Sequence, residues 1–414
     1  MAIPELMLMF LGMLLLAVLL QPLARRMHLP YGLLLVFGGY IGSEILVAAG
    51  LDTGLRWYHF HDLVFFVFLP LLIFESALHM DSRQLLRNIV AILLLSTPMM
   101  LLAAGVSAVV LYYGIGYPSY FSWVVALLSG AILSATDPVA VLELFRRAGV
   151  SERLILLVDG ESLFNDATAI VLFTLLTSLA LMPQQEITLA AASLKFTTIF
   201  CGGILVGLMV ALLLGLIYRW MDSTFNRMAV MLVAAYGSYL LAELWHLSGV
   251  VAVLVVGLIF AELQRREGDS PQRQELHCLW AFGGSLANAA IFLLLGVTIT
   301  LAMFQDQWLA MLLGIAAVLL ARGLGLLVTM PLVNLLPGES VGWRAQLVIY
   351  WGGIRGSVTA ALALSLPLEL ESWYTVQSIA YGVVLFTLCV QAPTMPWLIG
   401  RLGLNRTNTD QEKS

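Results

Sequence analysis

The chain consists mainly of long apolar runs separated by short polar clusters. A helix needs about 20 apolar residues to cross the hydrocarbon, and stretches near that length number thirteen: roughly 5–24, 31–49, 61–79, 89–113, 121–145, 153–181, 189–218, 228–246, 249–263, 276–303, 308–333, 344–366 and 373–400. The runs are continuous rather than alternating, so they predict helices. They also exclude a β-barrel, whose strands alternate apolar and polar residues. The first run reads as a retained helix with its start outside, because Met1–Pro4 carries no basic stretch and Arg25 and Arg26 follow the run.

Composition strengthens this reading. Of 414 residues, 61% are hydrophobic and 11% charged, against about 25% charged in an average soluble domain. Such a sequence predicts an all-α polytopic membrane protein. Net charge is −5 with two lysines and no basic tail, which argues against a nucleic-acid partner. Cys201, Cys278 and Cys389 lie far apart and suggest neither a disulfide framework nor a metal cluster.

The positive-inside rule tests the threading. With the start outside, the connections facing the cytoplasm, their borders and the tail hold sixteen of the twenty Lys and Arg residues, including Arg25, Arg83, Arg146, Arg153, Arg265, Arg344 and Arg401. Only Arg56 falls in an outer connection, while Lys195, Arg322 and Arg355 fall within spans. The polar stretch 405–414 is expected to be a cytoplasmic tail too short for a regulatory domain, which leaves the machinery inside the membrane segment 1–404.

Charged groups within a span are costly and mark function. The fifth span carries Ser134-Ala135-Thr136-Asp137-Pro138, and Pro138 cannot donate to the carbonyl of Ser134, so the helix is expected to break there. A break at mid-membrane is tolerable only where it lines a cavity; free carbonyls with the Thr136 hydroxyl are hard oxygen ligands suited to a small cation. The sixth span reads Gly160-Glu161-Ser162-Leu163-Phe164-Asn165-Asp166. Helical spacing pairs Ser162 with Asp166 on one face and Glu161 with Asn165 on a second. Span twelve carries Gly352-Gly353-Ile354-Arg355-Gly356-Ser357, and span three Phe74-Glu75-Ser76. Spans five and twelve lie seven apart and so cross in opposite directions. Two interrupted helices in corresponding positions of inverted halves mark the binding site of many secondary transporters. Their facing half-helix dipoles then need compensation by Asp137 and Arg355.

At these residues the sequence resembles the monovalent cation:proton antiporter-1 family, the NhaP and sodium/proton exchanger type. Phe68-Leu69-Pro70-Leu71-Leu72-Ile73-Phe74-Glu75, Ala135-Thr136-Asp137-Pro138-Val139-Ala140, Gly160-Glu161-Ser162-Leu163-Phe164-Asn165-Asp166 and Gly352-Gly353-Ile354-Arg355-Gly356 match in order. The resemblance covers essentially the whole chain. It implies that Asp166 is the carboxylate that binds cation or proton, with Thr136 (largely through main chain), Ser162 and Glu75 as the other Na⁺ ligands. It further implies that Glu161 pairs with Arg355, that Asp137 faces the crossed helix ends, and that Asn165 beside a single Asp belongs to the electroneutral branch. A homodimer is implied too, with scaffold helices about 1–88 and 228–303, an ion-binding core about 89–181 and 308–400, and a linking helix about 189–218.

The expected function is therefore one-for-one exchange of a monovalent cation, Na⁺ first and Li⁺ next, for H⁺ by alternating access in a plasma membrane of the bacterial inner-membrane kind. A K⁺/H⁺ antiporter of the same fold and, further off, a monovalent cation channel are the alternatives. No His-Glu-x-x-His, Gly-x-Ser-x-Gly or Gly-rich nucleotide loop is present, so neither an enzyme nor a cofactor is expected. Asp159 reads as a funnel or cap residue, and Arg322 as paired with an unidentified acid or helix carbonyls. Glu44, Lys195, Glu243 and His246 lie close enough to interfaces to snorkel. Gly38-x-x-x-Gly42 and Gly203-x-x-x-Gly207 read as close helix packing.

Overall fold

A computed structural model describes residues 3–27, 29–48, 50, 57–116, 121–148, 150–181, 188–268, 270–337 and 340–403. The described chain is helical, with no strand among these residues. Its helices run α1 Ile3–Met27, α2 Tyr31–Ala48, α3 Trp57–Leu63, α4 Leu69–His79, α5 Ser82–Ile115, α6 Trp123–Ser134, α7 Val139–Ala148, α8 Glu152–Ala180 and α9 Leu189–Arg219. They continue as α10 Thr224–Leu244, α11 Gly249–Glu267, α12 Pro271–Thr298, α13 Leu301–Asp306, α14 Trp308–Asn334, α15 Trp343–Trp351, α16 Ser357–Leu364, α17 Trp373–Phe386 and α18 Ala392–Arg401. Short π-helical turns, Val64–Phe68 and Thr387–Gln391, join α3 to α4 and α17 to α18.

Starts are set locally. Asp81, Ser122, Ser151, Thr188, Ser223, Ser248 and Ser270 each accept a backbone N–H of the first turn that follows, satisfying donors the helix itself leaves open. Among the described residues, nine continuous helical stretches are long and apolar enough to cross a bilayer, α5 being the longest at 34 residues. At 1.5 Å per residue α5 would extend about 51 Å, more than the ~30 Å hydrocarbon, so it must tilt or project. The expected fifth and twelfth spans are each two half-helices, α6 with α7 and α15 with α16.

Lipid-facing and protein-facing surfaces separate by residue type. Leu205, Leu212, Leu213 and Leu216 of α9 are exposed, as are Leu312, Leu320 and Leu327 of α14. Small residues let helices close in: a Cβ at Gly203 or Gly207 of α9 would press on the α11 backbone at Ser248 or Ala252. Two sets of helices pack chiefly among themselves, α5, α6, α8, α14 and α17 in one and α2, α4, α9, α10, α11 and α12 in the other. The interior holds the buried polar residues Thr136, Glu161, Ser162, Asn165, Arg355, Ser357 and Thr359. All three cysteines are free. The tail 404–414 lies outside the described residues.

Candidate ion-binding site

The site begins with two breaks in the backbone. α6 ends at Ser134 because Pro138 has no N–H to give and forces Asp137 out of the helical region; Ala135 is extended, at φ −60° and ψ 134°. Stopping a helix inside the protein strands its last carbonyls. Three side chains from other helices take them up. Asn165 donates through Nδ2 to the Ser134 carbonyl at 2.9 Å, the Thr359 hydroxyl donates to Ala135 at 3.2 Å, and the Ser162 hydroxyl donates to Thr136. Asn165 Nδ2 also lies 3.3 Å from the Thr136 hydroxyl.

The second break, Gly352–Gly356, crosses the first. The Asp137 backbone N–H donates to the Ile354 carbonyl at 2.8 Å. Asp137 Oδ1 accepts the Val139 N–H at 3.0 Å, and the Ser357 N–H also faces this carboxylate. One aspartate therefore sits at the N-termini of both α7 and α16, where helix dipoles favour negative charge. Gly356 is required by this crossing, since a Cβ there would collide with the Asp137 carboxylate. The Arg355 N–H is held by the Thr387 hydroxyl at 3.1 Å.

A cavity of ≈ 220 Å³ opens where the breaks cross. Glu75 and Ser76 of α4, Thr136 and Asp137, Asp159, Ser162 and Asp166 of α8, Ser285 and Asn288 of α12, and Ser357 and Thr359 of α16 face it. Almost every polar atom here is oxygen, the ligand type a hard cation such as Na⁺ takes. Asp166 Oδ1 is buried and has no hydrogen-bond partner among the described residues. Glu75 is held from its own helix, with His79 Nδ1 3.2 Å from its carboxylate.

Comparison with known proteins agrees with this geometry. Residues 12–400 match the family model described as "Sodium/hydrogen exchanger, transmembrane". The chain belongs to the sodium/hydrogen exchanger family. It is 37% identical to the Na⁺/H⁺ antiporter ApNhaP of Aphanothece halophytica over 83% of this chain and 65% of that one. It is 35% identical to the low-affinity Na⁺/H⁺ antiporter NhaS1 of a Synechocystis species, over 92% of this chain and 71% of that one. The chain thus spans about two-thirds of the length of these relatives. The fold is similar to that of the sodium proton antiporter MjNhaP1 from Methanocaldococcus jannaschii, with a TM-score of 0.76 at 23% identity over 96% of this chain and 99% of that one.

In this exchanger-family chain the four residues expected around the cation, Asp166, Ser162, Thr136 and Glu75, all line one cavity. Two expectations are corrected. Glu161 does not hydrogen-bond Arg355; it is gripped by Arg322 of α14, whose Nη1 and Nη2 each reach one carboxylate oxygen. Arg322 Nη2 also lies 3.4 Å from the Ile349 carbonyl in α15, so this arginine joins α8, α14 and α15. Arg355 instead has Nε and Nη1 without hydrogen-bond partners among the described residues. The resemblance implied Arg355 for Glu161 and the sequence left the acid facing Arg322 unidentified; the packing of α14 against the core makes that acid Glu161. The second correction concerns faces: Asn165 does not point with Glu161 but shares with Ser162 the task of holding the first break.

Asp159, read from sequence as a funnel or cap residue, lines the same cavity as Asp166. Reading the sequence missed Ser285, Asn288, Ser357 and Thr359. For Ser285 and Asn288 the signal was present, two polar residues at i,i+3 spacing in an apolar stretch of α12. Among the described residues no group of three or more His, Cys, Asp and Glu could hold a resident metal.

Proposed function

We propose that this chain exchanges Na⁺ for H⁺ one for one, with Asp166 holding either ion but not both. The observation that carries this reading is the unpartnered Asp166 oxygen, facing the same cavity as Ser162, Thr136 and Glu75 beside two crossed helix ends. Relatives named as Na⁺/H⁺ antiporters support the choice of ions.

The physics is a charge restriction. An empty Asp166 is an anion, and carrying it through low dielectric is costly. Either Na⁺ or H⁺ discharges it, so the site crosses only when loaded, and exchange follows without further machinery. Na⁺ would take oxygens from Asp166, Ser162 and the Thr136 main chain, with Glu75 at the cavity wall. The Ser162 hydroxyl donates to the Thr136 carbonyl and keeps its own lone pairs for the cation. Asn165 stands where a second carboxylate would add a charge to each cycle, so transport is voltage-insensitive. The helices around α5, α6, α8, α14 and α17 form the moving core, and those around α4, α11 and α12 the scaffold. The N-terminus faces outward and the chain makes thirteen crossings, in keeping with the placement of its arginines.

The test is dye-detected pH change in proteoliposomes on addition of Li⁺, Na⁺, K⁺ or Rb⁺, with Asp166→Asn as control. Saturable alkalinisation of acid-loaded vesicles by Na⁺, unaffected by an imposed potential, is expected. Net uptake driven by the potential would remove the one-for-one claim, and a response confined to K⁺ would change the substrate.

A further inference from the structure

A second cavity, of ≈ 990 Å³, lies beside the crossed breaks, between the α1–α2 hairpin and the last helix. Gln21 and Arg25 of α1, Tyr31 of α2, Asn288, Arg355 and Pro396 of α18 are on its wall. Two arginines face it, which disfavours it as a cation path. Arg355 is 3% exposed, and its Nε and Nη1 have no partner among the described residues, because Arg322 holds Glu161. Glu161 and Asp166 act on it only through space, and burying guanidinium N–H groups that have no hydrogen-bond acceptor is costly. Arg25, in the last turn of α1, is exposed at the other side of the same cleft.

We propose that this cleft is an anion site that takes a phosphate-type group between Arg25 and Arg355. Guanidinium forks match phosphate oxygens in pairs, and basic pockets between transmembrane helices at the cytoplasmic side suit phospholipid headgroups. The volume accommodates a headgroup with its glycerol as well as a bare anion. Asp137 also borders the cleft, but its charge already faces the Val139 and Ser357 N–H groups. An anion here would tie the first helix to the second break and restrain any relative movement. That consequence for transport rests on the exchange reading, whereas binding does not.

The experiment is thermal unfolding of the full chain in neutral detergent, read by tryptophan fluorescence. Dihexanoyl phosphatidylglycerol, zwitterionic dihexanoyl phosphatidylcholine, inorganic phosphate and chloride are compared at equal ionic strength. The phosphatidylglycerol arm is expected to raise Tm by roughly 4 °C over chloride, with phosphatidylcholine inert. Arg25→Gln should abolish the rise, Arg25→Lys should keep part of it, and Arg26→Gln, whose side chain is not on the cavity wall, should keep it whole. A rise with inorganic phosphate as well makes the source a soluble anion; a rise with the lipid alone makes it a headgroup. No rise with either anion, or an equal rise in Arg25→Gln, overturns the site. Because the readout is a melting temperature, loss of the exchange reading would leave this result standing, and the reverse also holds.

Discussion

Glu161 and Asp166 sit five residues apart on one helix and have opposite surroundings. Glu161 is 1% exposed and spends both carboxylate oxygens on the Arg322 guanidinium. Asp166 leaves one buried oxygen unpartnered at the edge of a cavity. The same chemical group is thus fixed in one place and open in the other. A carboxylate already neutralised by a permanent cation cannot be a carrier, because it has no affinity left to exchange. In the proposed exchange, the one left without a partner takes its neutralising charge from the transported ions.

Removing each acid in turn separates the two surroundings most strongly. Asp166→Asn is expected to abolish exchange while leaving folded yield and Tm at or above wild type, since it removes an unpaired charge; retained exchange would overturn the assignment. Glu161→Gln leaves Arg322 buried and unpaired and should cost about 3–5 kcal/mol of stability. Size-exclusion yield and Tm read this, and the double variant Glu161→Gln with Arg322→Gln should lose less than the two single losses combined. Arg355→Gln should lose less stability than Arg322→Gln, because it breaks no carboxylate pair in the structure.

Gly356→Ala comes next. Its Cβ would collide with the Asp137 carboxylate and push the two breaks apart, so both exchange and Tm should fall. Ser162→Ala removes one proposed neutral ligand, and the apparent KM for Na⁺ should rise roughly three- to tenfold with kcat little changed. The smallest effect is expected at Glu75, which stands at the cavity wall with His79. For Glu75→Gln the rise should be about threefold or less, from the weakened field alone. In wild type, lowering the pH should raise the KM for Na⁺, by as much as roughly tenfold per unit at the acid end, with the maximal rate unchanged at saturating Na⁺.

Much of this was legible in the sequence for identifiable reasons. Pro138 after Asp137 announced the first break, because a missing N–H is a property of the residue itself. The glycines around Arg355 announced the second. Asp166, Ser162, Thr136 and Glu75 stood out because polar groups in apolar spans are rare; the family resemblance implied their ligand roles, and the structure places all four on the wall of one cavity. Which arginine meets Glu161 was not legible: α14 and α15 both carry or adjoin a buried cation, and the choice depends on how α14 packs against α8. Asn165 was assigned the wrong neighbours because helical spacing gives a direction around the axis but not the width of what it faces. Ser357 and Thr359 were passed over because hydroxyls in spans commonly just join helices, and only the crossing of the breaks gives them carbonyls and a cavity to face.

If one carboxylate holds either ion, Na⁺ binding to the purified, weakly buffered protein must release protons that can be counted. One proton per Na⁺ bound is expected for the wild type at a pH where the empty site is protonated, and none for Asp166→Asn. Na⁺ binding without proton release, or release that survives in Asp166→Asn, would contradict the account.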